Sequence, residues 1–354
     1  MPYILFHMKE LLRELVETPG ITGNEVRIRE VLREKVEGHA DEVEVDDFGN
    51  LIARKGEGEK KLMIDAHMDQ IGMGVRRIDD EGFLRVSPLG GAYPISIVNQ
   101  RVNVHASEGE EEITGVIGAK PSHLLDDEQE GLPQMQDAFV DIGAESREDA
   151  QEKGVRVGDY ISFDRGFEEL ANDYVTGPAL DNRVGCAMAI EALKRFDDEG
   201  YELAVVFSAQ EEVGRKGART AAFGEDPDAA VVMEVARAGD VPNMEPDESD
   251  EHTGEGFGIT MIEAGGRGVI APTSIREWLL DTARDNDFDF QRKLYDRGKT
   301  NASSIEISRT GVPTGVVVIP TRHLHTAVEV ISMEDARQSV EFLEQALESF
   351  EDYF

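Results

Sequence analysis

Four short runs of consecutive, mostly apolar residues constrain this chain more than anything else in it: KLMIDAH (61–67), LAVVFSA (203–209), AAVVMEVA (229–236) and GVVVIPT (315–321). Runs of this length, rich in Val and Ile and bounded by turn residues, read as buried strands. Helical patterns alternate with them. One helix stops at Pro19-Gly20 and a second spans Glu25 to Val36. NRVGCAMAIEALKRF, SIREWLLDTARDN and the stretch from Met333 towards Phe350 supply three more, while EVEVDDFGNLIARKG turns at Phe48-Gly49-Asn50 like a hairpin. The alternation predicts an α/β domain.

Between Gly72 and Phe163 the texture changes to short, Gly-punctuated runs: GFLRVSPLG, RVNVHAS, EITGVIGAK, AFVDIGA and GDYISF. Such spacing predicts a small β-barrel or sandwich. The expected organisation is therefore an α/β domain from 1–71 and 164–354, interrupted by a β insertion at 72–163. A chain of 354 residues with 40% hydrophobic content suits one core plus a smaller satellite. No repeat of solenoid period is visible, and Asn243 to Gly258, rich in acids and Gly, reads as an exposed loop.

The bulk numbers exclude several function classes. No apolar run approaches the roughly 18 residues needed to cross a bilayer, and the N-terminus lacks a signal-peptide pattern, so a soluble cytoplasmic protein is expected, with no membrane partner. Cys186 is the single cysteine and sits among Ala187, Met188 and Ile190, which marks a small core residue rather than a nucleophile. With 73 acidic against 36 basic residues, the formal charge of -37 repels a nucleic-acid backbone. Acids decorate ordinary helices such as EFLEQALESFEDYF rather than forming a disordered tail. Self-repulsion of this size calls for screening, which points to a salt-rich cytoplasm and a halophilic source.

The polar residues at or near the ends of the buried runs carry the chemistry. His67 ends LMIDAH and shares one side of the strand with Asp69, which is placed to hold the second ring nitrogen. Asp181 follows Gly177-Pro178 at a strand-to-helix junction, where it is either a helix N-cap or a carboxylate free to bridge cations. Glu211 and Glu212 come directly after LAVVFSA, and two adjacent carboxylates there are costly without a cation. Glu234 interrupts an apolar run, where isolated burial of a charge is expensive. GVVVIPT leads into Arg322, His323, Leu324 and His325. Together, His67, Asp181, Glu212, Glu234 and His325 form a mixed N and O ligand set for two divalent cations, zinc first and cobalt or manganese as alternatives. Glu211 remains uncoordinated as a general base. Ions held about 3.5–4 Å apart share and acidify a water and polarise a carbonyl.

ETPGITGNE, VDDFGNLIA, DAHMDQIG, the β insertion, GPALDNRVG, QEEVGRKGA and PTRHLHTAVEV, in this order, resemble the tetrahedral (TET) aminopeptidase family over nearly the whole chain. Its members are also called glutamyl or deblocking aminopeptidases, and sometimes endoglucanases. The resemblance implies a mixed-sheet dinuclear-zinc-peptidase domain. It implies that His67 binds one metal with Asp69 in support, Asp181 bridges, Glu211 is the base, Glu212 binds one metal and His325 the other. It also implies that the insertion drives dimerisation, and that six dimers close into a hollow dodecamer that admits short peptides. Four departures stand out: Glu234 where Asp is usual, His323 where Tyr is frequent, Asn301 where Asp is usual, and no Thr two residues past Glu234. The resemblance also implies that the segment EAGGRGVIAPTSI shapes the pocket for the N-terminal side chain, with Arg267 either a selector for acidic residues or a loop charge.

Two other readings are weighed. A glycoside hydrolase would use paired carboxylates, but needs aromatic stacking surfaces that 6% aromatics and one Trp supply poorly, and leaves His67 and His325 unexplained. A peptide-binding scaffold without activity would account for the departures at Glu234 and Asn301. His7, His39, His105, His123 and His252 match no motif and are read as structural or exposed.

Overall fold

The four apolar runs form adjacent strands at the middle of one sheet. The computed structural model describes residues 2–92, 94–108, 112–120, 138–197, 200–245 and 247–354. Its eight-stranded sheet runs Glu42–Val45, Leu51–Lys55, Glu202–Ser208, Lys61–His67, Ala229–Arg237, Thr314–Thr321, Phe257–Ile262 and Phe290–Leu294 in spatial order. The strands Glu202–Ser208, Lys61–His67, Ala229–Arg237 and Thr314–Thr321 are mutually parallel, whereas Leu51–Lys55 and Phe257–Ile262 flank them antiparallel. The sheet is mixed, as the family resemblance implies. Parallel strands are buried on both faces and so read as continuous apolar runs rather than alternating ones.

Helix Leu180–Arg195 packs across the strands Lys61–His67 and Ala229–Arg237 and beneath helices Pro2–Glu17 and Met333–Ser349. Val184, Cys186, Ala187, Met188, Ala189, Ile190, Ala192 and Leu193 are all buried, so from Val184 to Ile190 the helix is apolar on every side. Its Asn182 Oδ1 accepts the Gly185 N–H at 3.1 Å, which caps the first turn. The N-cap role considered for Asp181 therefore falls to Asn182, and the Asp181 carboxylate turns to the imidazoles instead.

Within 72–163 the described residues form a closed antiparallel barrel: Gly72–Ile78, Leu84–Leu89, Phe139–Asp141, Glu112–Gly118, Arg101–His105 and Tyr160–Phe163. It has a core of its own around Met73, Val75, Val86, Val102, Val104, Ile117, Val140 and Ile161. A third sheet, Glu168–Glu169, Tyr174–Gly177 and Glu329–Ser332, lies where the chain re-enters the α/β part.

The loop expected to be exposed, Asn243 to Gly258, is only partly so. Ser249, Glu251 and Thr253 are buried, and Glu251 Oε2 lies 2.9 Å from Lys293 Nζ. Asp335 draws the same segment inward by accepting the N–H groups of Gly254 at 2.7 Å and Gly256 at 3.1 Å. Buried carboxylates, not apolar residues, hold it down, so hydropathy alone read it as surface. No helix among the described residues is long and apolar enough to cross a membrane.

Candidate metal centre

Parallel pairing brings the C-terminal ends of the central strands to one edge, where open α/β sheets place their crevices. His67 is the last residue of its strand and pairs in register with Ser208. Glu211 and Glu212 follow three and four residues after that Ser208. Glu234 lies within Ala229–Arg237, inside its apolar run, rather than at the strand end. It lies two residues beyond the Val232–Asp65 pair, which sets it level with His67 across the sheet. Asp181 arrives from outside the main sheet, after strand Tyr174–Gly177, and His325 from the loop after Thr314–Thr321.

These residues converge. His67 Nε2 is 3.1 Å from Asp181 Oδ1 and 3.5 Å from Glu234 Oε1. His325 Nε2 is 3.4 Å from Asp181 Oδ2 and 3.9 Å from Glu212 Oε2. Two donor groups result, His67–Asp181–Glu234 and Asp181–Glu212–His325, each with its atoms within 4.8 Å of one another and both sharing Asp181. Glu211 belongs to neither group. Its side chain is 12% exposed, with Arg215 Nη1 4.0 Å from Oε1.

The electrostatics show how crowded the pocket is. Burial raises the Glu211 carboxyl well above its ordinary range, and the charges of Glu234, Glu212 and Asp69 raise it further against the pull of His67. Burial and Asp181 push Glu212 up to about 8, and burial likewise raises Glu234. Burial alone would lower His325, but Asp181 and Glu212 push it up to about 10. Asp181 is held far down despite its burial, because hydrogen bonds to both imidazoles favour its charged form.

Asp69 supports the site by a different route from the one expected. The His67 Nδ1 atom faces the backbone carbonyl of Asp69 at 3.1 Å and its carboxylate only at 3.6 Å. The carboxylate instead accepts the backbone N–H groups of Glu211 at 2.8 Å and Glu212 at 3.2 Å. Cys186 is buried with its thiol directed to the His67 carbonyl at 3.3 Å, and burial pushes it up to about 12, as suits an inert core thiol. Ala179, Gln210 and His325, at or beside ligand positions, all have φ near +60°, a conformation that costs about 1–3 kcal/mol and persists where surrounding structure imposes it.

Glu329 was missed. It is 1% exposed; one carboxylate oxygen accepts the Asp181 N–H at 2.9 Å and the other the His325 N–H at 2.8 Å. The signal was present, since TAVEVIS places an acid in an apolar strand just as AAVVMEVA does. Of the departures, Asn301 is buried and its Nδ2 donates to Asp65 Oδ2 at 2.7 Å and Ser208 Oγ at 2.8 Å, whereas His323 is exposed. Arg267 donates to the Ala264 and Asp296 carbonyls and so staples its own loop. His105 bonds Ser162, His252 faces Glu255, His7 and His39 are exposed, and His123 lies outside the described residues.

The chain matches the M42 glutamyl aminopeptidase family over residues 49–342. It is 38% identical to a putative aminopeptidase of Acetivibrio thermocellus over 96% of this chain and 98% of that protein. It is 33% identical to lysyl aminopeptidase of Pyrococcus furiosus over 96% of both. Among solved structures, a TET aminopeptidase of the marine sediment archaeon Thaumarchaeota SCGC AB-539-E09 superposes with a TM-score of 0.92 at 34% identity, covering 97% of this chain and 96% of that one. The Pyrococcus horikoshii TET1 peptidase, which can assemble into a tetrahedron or a large octahedral shell, superposes with a TM-score of 0.85 at 32% identity over 96% and 98%.

Proposed function

This chain belongs to the M42 glutamyl aminopeptidase family, and from that membership we propose that it removes N-terminal residues from short peptides, using water activated at a pair of divalent cations. The observation that carries the reading is the pair of donor groups sharing Asp181. Three further carboxylates, Glu211, Glu212 and Glu234, crowd the same two imidazoles, and buried charges of one sign need cations among them. The donor set fits: imidazole nitrogen and carboxylate oxygen suit zinc, with cobalt or manganese as alternatives.

His67 and Glu234 would hold one ion, His325 and Glu212 the other, and Asp181 both. Bound there, such ions lower the pKa of a water and polarise a carbonyl oxygen. Glu211 is the base: it takes the proton from the attacking water and passes it to the leaving amine nitrogen as the C–N bond breaks. Asp69 orients Glu211 and Glu212 through their backbone amides, and Glu329 orients Asp181 and His325 in the same way. A glycosidase does not account for two imidazoles facing one shared carboxylate.

The assembly we propose is a cage of twelve copies built from dimers through the barrel, supported by the likeness to peptidases that form shells. The acidic surface, at a formal charge of -37, suits a salt-rich cytoplasm. Elemental analysis of the purified protein, with hydrolysis of aminoacyl-anilides at high salt, tests the activity. A preparation that holds no metal and cleaves no substrate of the panel overturns it, and a stable monomer at high KCl overturns the cage.

A further inference from the structure

The α/β part supplies the donor atoms, but one of them is held from the barrel. Just past strand Leu84–Leu89 the chain makes a turn at Gly90 (φ +85°) and Gly91. This turn lies against the side chains of Glu212 and His325. A Cβ on Gly90 would sit 3.1 Å from Glu212 Oε2, and a Cβ on Gly91 only 2.6 Å from His325 Nδ1 and 2.8 Å from Cε1. The Gly91 carbonyl oxygen is 3.2 Å from His325 Nδ1. His325 needs such a hold. Its side chain is 36% exposed, so core packing does not fix the ring, and Glu329 anchors only its backbone amide.

A carbonyl accepts but cannot donate, so this contact holds a proton on Nδ1, and a cation bound between Asp181 and Glu212 would displace the Nε2 proton and take that lone pair. Resting on the reading of His325 as a ligand, we infer that Gly91 is a positioning residue for the second cation, which makes the barrel insertion part of the metal centre. Removal of such a hydrogen-bond partner weakens metal affinity by roughly 10–100-fold.

The test titrates metal-stripped, full-length protein with cobalt(II) and follows the visible absorption of each equivalent, for wild type and Gly91→Ala. The expected result is that the variant takes up its first ion with wild-type affinity and its second roughly 10–100-fold more weakly. A folded variant that binds both ions as wild type does overturns the inference. A variant too unstable to titrate leaves the decision to nitrogen-15 histidine spectra of the zinc-loaded wild type, with His325 assigned by His325→Gln. There, an Nδ1–H tautomer supports the inference and an Nδ1 without its proton overturns it. A wild type that binds no cobalt removes His325 as a ligand, a failure of the underlying reading that the first titration reveals by itself.

Discussion

Oδ1 of Asp69 accepts the backbone N–H of Glu211 at 2.8 Å, so the residue two places after a candidate ligand sets the direction of the candidate base. Asp69→Asn turns one acceptor oxygen into a donor and leaves an amide of Glu211 or Glu212 facing it. An unsatisfied buried donor costs about 1–3 kcal/mol. The expected result is a lowered thermal midpoint together with a loss of activity of roughly 10–100-fold; unchanged kcat would limit Asp69 to stability.

Glu211→Gln keeps the shape of the side chain and removes its basicity. A kcat about 10²–10⁴-fold lower is expected, with metal content by elemental analysis equal to wild type. A variant that retains wild-type kcat takes the base role away from Glu211.

Glu234→Ala removes one terminal carboxylate from the group that contains His67. Metal content should fall from about two ions to about one per subunit. Glu234→Asp, with the shorter carboxylate, should bind both ions with the first weakened; if the alanine variant keeps both ions, Glu234 is not a ligand.

The pocket should take up metal at the expense of protons. His325 is raised from 6.5 to about 10 and Glu212 from 4.5 to about 8. Each raised value favours the protonated form in the fold, so its contribution to stability is complete below the unfolded value and is lost as pH rises through the folded one. The metal-free protein should therefore lose stability between pH 4.5 and about 10, while metal affinity climbs over the same range as protons leave. Thermal midpoints against pH give the first trend, and calorimetry in buffers of different ionisation heat gives the second. Absence of proton release at neutral pH contradicts it.

Salt should stabilise the chain well beyond what an ordinary protein gains. At a formal charge of -37, shortening the Debye length from about 10 Å at 0.1 M to about 3 Å at 1 M relieves self-repulsion. The unfolding midpoint is expected to rise steadily with KCl, and a flat response removes the halophilic reading.

Much of the site was legible because burying a charge is costly in a way that sequence exposes. A carboxylate inside AAVVMEVA or a Glu pair after LAVVFSA has to meet a partner, and Glu234 and Glu212 do lie against the imidazoles of His67 and His325. The same reasoning applied to TAVEVIS would have found Glu329. The Asn243–Gly258 segment misled for the converse reason: acids ordinarily mark a surface, but here Glu251 and Asp335 are buried against Lys293 and backbone amides.

The sequence by itself determined the buried core strands, the β insertion and the residue types gathered at or near the strand ends, since apolar runs and misplaced charges follow directly from composition along the chain. Only the tertiary structure decided that Asp181 reaches the imidazoles from a separate sheet, that Asp69 and Glu329 hold amides rather than rings, and that a barrel glycine holds His325. Those contacts run through backbone N–H and C=O groups, which almost every residue carries alike, so no side-chain pattern records which of them will meet.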